Sequence, residues 1–160
     1  MKWTRLLKAE NNSVKNSFNA YEQAKDLGFK NVPNEVVKSI ANNTFTSYRY
    51  AKGLGFKNVP EIIVNSIAKD SMNSLMYATE LHFKNVPDII VEGIAKEPGS
   101  AHTYAKGLGF KNVPEIIVNS VAKDPASSYY YAKDLGFKNV PEIINKSVSN
   151  YKGFYNTQNK

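Results

Sequence analysis

Lysine has the clearest claim to chemistry in this chain, because it recurs in rows. Lys30, Lys57, Lys84, Lys111 and Lys138 stand 27 residues apart, each inside the pentapeptide Phe-Lys-Asn-Val-Pro. A second row, Lys25, Lys52, Lys106 and Lys133, keeps the same period, with Thr79 in the missing place. The chain has 21 Lys and Arg against 14 Asp and Glu, a formal charge of +7, so a phosphate backbone or an acidic protein surface would be attracted. Tyrosine makes a further ladder at Tyr50, Tyr77, Tyr104 and Tyr131, with Tyr48, Tyr129 and Tyr130 beside it. Aromatics interleaved with lysines are what single-strand binders use for stacking. The ladder tyrosines, however, adjoin an apolar stripe and are expected to pack between copies. Tyr48, Tyr129 and Tyr130 are then the exposed anchors available to a partner.

Other chemistries are poorly supplied. The two histidines, His82 and His102, occupy different repeat slots, and neither has a second ligand at metal-binding spacing on its helical face. Ser, Asp and Glu recur with the repeat, so no unique nucleophile and base come together. There is no Cys, which removes disulfides and thiolate metal sites. The expectation is a protein that is not an enzyme, with no catalytic residue, no metal and no cofactor. No apolar run approaches the ~20 residues of a membrane span. Residues 1–10 lack the apolar core and cleavage site of a signal peptide, so a cytoplasmic protein without membrane association is expected.

The elements that would position these rows follow from the period. Phe-Lys-Asn-Val-Pro occurs at 29–33, 56–60, 83–87, 110–114 and 137–141, and such fixed spacing marks a repeat architecture. Tyr50 to Ser66 is identical to Tyr104 to Ser120, two periods away, which points to duplication of a two-repeat unit. Each copy reads as a helix stop followed by a helix start. Gly28, Gly55, Gly109 and Gly136 suit the left-handed residue after a helix, and the Phe that follows suits the hydrophobic contact of a Schellman ending. In the third copy His82 takes the glycine's place and is expected at positive φ. Four residues after the Phe comes Pro33, Pro60, Pro87, Pro114 or Pro141. The expected register puts that Pro at the first helical position, the preceding Val at N-cap and an acid in the first turn. A rival register makes the Asn the N-cap. Helices are expected from about Pro125 to Leu135 and from about Pro60 to Lys69. Helices so short are marginal alone, so they must be held by stacking.

Ser47, Ala51 and Leu54, or Ser128, Ala132 and Leu135, give the first helix of a copy its inner stripe, and the Ala recurs in all five copies. Ile63, Val64, Ile67 and Ala68 make the second helix apolar over more than half its circumference. At the start, Trp3, Leu6 and Leu7 suggest a capping helix over residues 1–16, broken from the next at Asn11-Asn12-Ser13. Phe18 and Tyr21 would then anchor the first copy. Residues 17–150 would carry five repeats. Residues 151–160 have no period and read as a tail in which Phe154 and Tyr155 fold back onto the open end.

The pattern of Tyr-Ala, Leu, a turn, branched apolars and Ala-Lys-Asp-Pro, over residues 20–150, is similar to short tandem helical repeats in bacterial and phage proteins. The resemblance implies an all-α fold, an α-solenoid of five 27-residue helical hairpins with an N-terminal capping helix. It carries over no catalytic or binding residue. The functional expectation is a repeat binding protein that engages a macromolecule, a protein first and a nucleic acid second. The abundance of Lys, Asn, Ile, Tyr and Phe, all with A/T-rich codons, fits a phage or mobile-element protein acting on a host factor.

Overall fold

A computed structural model describes the backbone of residues 2–151 and the side chains of residues 14–151. The side chains of Trp3, Leu6 and Leu7, and Phe154 and Tyr155 entirely, lie outside the described residues. Those described form ten α-helices and no strand: α1 (Lys2–Asp26), α2 (Asn34–Ile40), α3 (Thr44–Gly53), α4 (Glu61–Ile67), α5 (Ser71–Glu80), α6 (Asp88–Ile94), α7 (Pro98–Gly107), α8 (Glu115–Val121), α9 (Pro125–Asp134) and α10 (Glu142–Val148). Each odd-numbered helix pairs with the even one after it, and each hairpin packs against the next.

The first helix of every hairpin ends as expected. In α3 the Phe56 amide donates to the Ala51 carbonyl at 2.9 Å and the Gly55 amide to the Lys52 carbonyl at 2.9 Å, the two bonds of a Schellman motif. The Phe-to-Ala bond recurs at Phe29, Phe83, Phe110 and Phe137. The turn is more strained than the glycine pattern alone suggests. After the Gly, the Phe also lies in the left-handed region (φ 58 at Phe56), and so does the Asn two residues on (φ 50 at Asn58). Asn tolerates that region, but Phe does so only where its surroundings hold it. Those surroundings are the hydrogen bond from its amide to the Ala51 carbonyl and the edge-to-face packing of Phe56 on Tyr77, at 5.1 Å between ring centroids.

His82 has φ 51, as expected of a residue in the glycine slot. His82→Gly is therefore expected to raise stability by about 0.5–1 kcal/mol, since glycine meets no Cβ penalty there. Thermal unfolding checks this, and a lower melting temperature for the glycine variant would refute that explanation of the turn.

The start of each second helix corrects the expected register by one residue. Pro60 has φ −56 and ψ 140, so it is the N-cap in an extended conformation, and Glu61 is the first helical residue. The Pro60 carbonyl accepts from the amides of Ile63 and Val64, which opens the helix without any side-chain cap. The second helices are consequently only 7 residues long. First helices are capped by side chains where the sequence permits. Asn43, Asp70 and Asp124 accept from the amide three residues on, whereas Glu97 makes no such bond.

The core is a continuous seam. Ala24, Ala51, Ala78, Ala105 and Ala132 are fully buried, as are Ile40, Ile63, Ile90, Ile117 and Ile144. Buried serines stitch neighbouring hairpins together. Ser74 Oγ donates to the carbonyls of Ile67 and Asp70, at 3.2 and 2.8 Å, and Ser128 Oγ donates to that of Val121 at 3.0 Å. Two expectations for the first hairpin fail. Helix α1 runs unbroken through Asn11–Ser13, where no Pro or Gly interrupts it. Phe18 is 47% exposed, while Tyr21 is buried, so Tyr21 alone anchors this copy. The Arg49 guanidinium lies 4.2 Å above the Tyr21 ring and 6.0 Å from that of Phe18.

Candidate binding surface

The loop lysines stand where the period places them. Lys30, Lys57, Lys84, Lys111 and Lys138 are all exposed, and none forms an ion pair among the described residues. The row on the first helices is different. Lys52 Nζ lies 2.8 Å from Glu80 Oε1 and Lys106 Nζ 3.1 Å from Asp134 Oδ2, across to the next hairpin, and Lys25 pairs with Glu22 on its own helix. Two members of that row are thus neutralised by the neighbouring hairpin. Lys133 is exposed.

The ladder tyrosines Tyr50, Tyr77, Tyr104 and Tyr131 are buried, each ring edge-on to the Phe of the preceding hairpin. Burial pushes their phenol pKa values up. Of the three expected anchors only Tyr130 is exposed; Tyr129 is half-buried and stacks on Tyr151 at 5.2 Å. Tyr48 is a correction. It is only 5% exposed, because the next hairpin covers it and its hydroxyl donates to Glu80 Oε1 at 3.1 Å.

Interfaces between hairpins alternate in chemistry. Between the second and third, Tyr48, Lys52 and Glu80 meet; between the fourth and fifth, His102, Lys106 and Asp134 meet, with His102 Nε2 3.1 Å from Asp134 Oδ2. At the two remaining interfaces the acid's place is taken by Gly53 or Gly107, each set against a Phe ring, Phe29 or Phe83. The two-repeat duplication visible in the sequence therefore survives as two kinds of interface.

These acids respond to pH. Hydrogen bonds from Lys52 and then Tyr48 hold the Glu80 carboxyl below its ordinary value of 4.5. Burial pulls Asp134 upward, but the bonds from Lys106 and His102 outweigh it and leave the carboxyl below 3.8. A carboxylate with a lowered folded pKa contributes stability that is complete above its unfolded value and lost as pH falls through the folded one. Stability is expected to decline below about pH 4.5, and the Glu80→Gln, Asp134→Asn double variant to decline less over that window. Urea midpoints measured from pH 6 to pH 3 test this, and parallel curves for the two proteins would refute it.

Sequence reasoning missed the surface of the second helices. Ile62, Ile89, Ile116 and Ile143 hold one repeat position and are 43%, 39%, 44% and 44% exposed, while the isoleucine after each is fully buried. Beside this row lie clefts between adjacent hairpins. One of about 630 Å³ is lined by Val113, Glu115, Val118, Asn119, Pro141 and Ile143, among others. Another, of about 340 Å³, is lined by Val32, Asn34, Val37, Lys38, Pro60 and Ile62, the same positions three periods earlier. A shorter apolar row, Phe18, Phe45 and Met72, stands exposed on the first helices and ends at the third hairpin, where Gly99 follows.

The described residues contain no cluster of His, Cys, Asp or Glu fit to hold a metal, and no helix among them is long and apolar enough to cross a membrane. Comparison with known protein families, curated proteins and solved structures finds no match to this chain.

Proposed function

We propose that the hairpins form an α-solenoid of five 27-residue repeats over residues 17–150, capped by the first half of α1, and that the protein is a non-enzymatic binding module for another protein. The observation that carries this reading is the row of half-exposed isoleucines at one position in four successive hairpins. A branched apolar side chain left in water once per repeat, beside a cleft that recurs at the same register, is the kind of exposed apolar surface that marks an interaction site. The rigid seam of buried Ala and Ile holds those positions at a regular interval, close to the 8–10 Å that separates packed helices. Capture of partners on immobilised protein, with and without nuclease, followed by mass spectrometry, tests it. The reading expects a protein retained in both conditions, and a catch that vanishes with nuclease would overturn it.

The loop lysines favour a second reading, binding of a nucleic acid. They are five exposed cations on one edge with no ion pair among the described residues. If they hold a phosphate backbone, Lys57, Lys84 and Lys111 changed to Gln should lower the salt slope by roughly 2 to 3 units. The exposed carboxylates Glu61, Asp88, Glu115 and Glu142, four residues after Lys57, Lys84, Lys111 and Lys138, weaken the local field. The expected result is no salt-dependent retardation of DNA or RNA at about 50 mM salt.

A further inference from the structure

We propose that the row of hairpins is jointed between the third and the fourth, so that the first three and the last two move as two bodies hinged at Glu97, Pro98 and Gly99. The inference goes beyond the binding reading and stands without it.

In a row of repeats each unit leans only on its neighbours, so a weakly fastened interface is not bridged by contacts from elsewhere. Three of the four interfaces here are fastened by directional bonds. At the first, the hydroxyls of Thr46 and Ser47 both donate to the Ile40 carbonyl, at 3.0 and 3.3 Å, Asn43 caps α3, and Arg49 covers Tyr21. At the second, Ser74 donates to the Ile67 carbonyl, Asp70 caps α5, Asn73 Nδ2 donates to Thr44 Oγ1 at 3.0 Å, and Tyr48 and Lys52 hold Glu80. At the last, Ser128 donates to the Val121 carbonyl, Asp124 caps α9, and His102 and Lys106 hold Asp134.

Between the third and fourth hairpins every one of these devices is missing. Ala101 stands at the serine position, and Glu97 makes no side-chain cap. Leu75, Thr79 and Gly107 occupy the positions at which Tyr48, Lys52 and Glu80 meet. Among the described residues no side-chain hydrogen bond and no ion pair crosses this interface. What remains is apolar: Phe83 edge-on to Tyr104 at 5.7 Å, and the fully buried Ala78, Ala105, Ile90 and Ile117. Apolar burial is non-directional, so it keeps the two hairpins together without fixing the angle between them. The joint bends and does not part.

Two traces of the lost fastening are visible beside it. Ser120 Oγ is buried with no hydrogen-bond partner among the described residues, whereas its equivalent, Ser66 Oγ, accepts from Ser47 Oγ at 2.9 Å. Gly99 stands where the other hairpins have Phe18, Phe45, Met72 and Ala126, although a Cβ there would meet nothing within 4 Å. Crowding therefore does not explain the glycine. The joint also falls between Ile89 and Ile116, so its angle sets the separation of the two halves of the exposed isoleucine row.

The absence of cysteine makes the test direct. Nitroxide labels are placed at pairs of exposed turn positions two hairpins apart, about 16–20 Å at the helix-packing interval, and the distance distributions are read by double electron–electron resonance. The Lys30→Cys, Lys84→Cys pair avoids the joint, while Lys57→Cys, Lys111→Cys and Lys84→Cys, Lys138→Cys both span it. The two spanning pairs are expected to give distributions at least about twice as broad as the first, as a hinge between packed units would. Glu97→Asp with Ala101→Ser, which restores the cap and the serine bond, is expected to narrow both to the width of the first. In the converse variant, Asp70→Ala with Ser74→Ala, the Lys30→Cys, Lys84→Cys pair should broaden while helical circular dichroism is retained. Equal widths for the three pairs in the otherwise unmodified chain would overturn the proposal. So would spanning pairs that stay broad in the restored variant, which would assign the breadth to the labels or the turns. If the converse variant does not fold, the first two comparisons still decide.

Discussion

Ile90→Ala is expected to destabilise the protein by about 2–5 kcal/mol, whereas Ile89→Ala, one residue away, should change it by about 0.5 kcal/mol or less. The two isoleucines sit side by side on α6 in an Asp-Ile-Ile-Val start, yet Ile90 is fully buried and Ile89 is 39% exposed. Truncating Ile90 removes the apolar contacts of three carbons and leaves a cavity in the central hairpin, whose neighbours on both sides are fixed by their own buried isoleucines, Ile63 and Ile117. Such a site has little freedom to collapse, which favours the upper part of the range. Urea unfolding should show a lower midpoint with an unchanged slope if the hairpins still unfold together. A broadened, shallower transition would mean that the centre of the row has uncoupled its two ends. Equal effects at positions 89 and 90 would contradict the packing described for the second helices.

That pair also shows where sequence reasoning reaches its limit. The period of 27 made the hairpins, the Gly-Phe ending and the buried Ala row legible, because each depends on chemistry within a few residues: a left-handed turn, a hydrogen bond from the Phe amide to the Ala carbonyl, a small side chain at a close approach. The exposed isoleucines were not legible. A helix of 7 residues makes only about two turns, too few for the apolar pattern to fix which of two adjacent isoleucines faces inward. The orientation is set by the Pro60 N-cap and by the next hairpin, and the expected register was one residue out at that Pro. Tyr48 failed for a related reason. Its position two residues before Tyr50 points it away from the stripe of its own helix, and only the neighbouring hairpin's Glu80, 32 residues on, turns it into a buried contact. The loop lysines were placed correctly because a turn is defined locally. The helix lysines also stand on the first helices as expected, but their ion pairs were not legible, since the acids that pair Lys52 and Lys106 come from the following hairpin.

Gly93→Ala should lower stability by about 1–3 kcal/mol, against the usual direction for a helical glycine. In an unencumbered helix interior the same change would gain close to 1 kcal/mol, because alanine has the higher helix propensity. Gly93 is buried on α6 at a position where the other second helices carry Ser39, Ser66, Ser120 and Ser147. A Cβ there would meet the Ser74 hydroxyl, the Ala68 carbonyl oxygen at 2.7 Å and the Ala68 Cα at 3.0 Å. The serine could rotate, but the Ala68 backbone closes α4 and its carbonyl also accepts from Lys96 Nζ at 2.7 Å, so it is held from two sides. The clash must then be relieved by moving the second and third hairpins apart, which loosens contacts around Ile67 and Ile94 as well. Removing the Ser74 hydroxyl in the same chain should recover only part of the loss, because the backbone contact remains. Thermal and urea unfolding of Gly93→Ala, Ser74→Ala and the double variant decide it. If Gly93→Ala melts higher than the unmodified protein, the close approach of α6 to Ala68 is not what keeps glycine at this position.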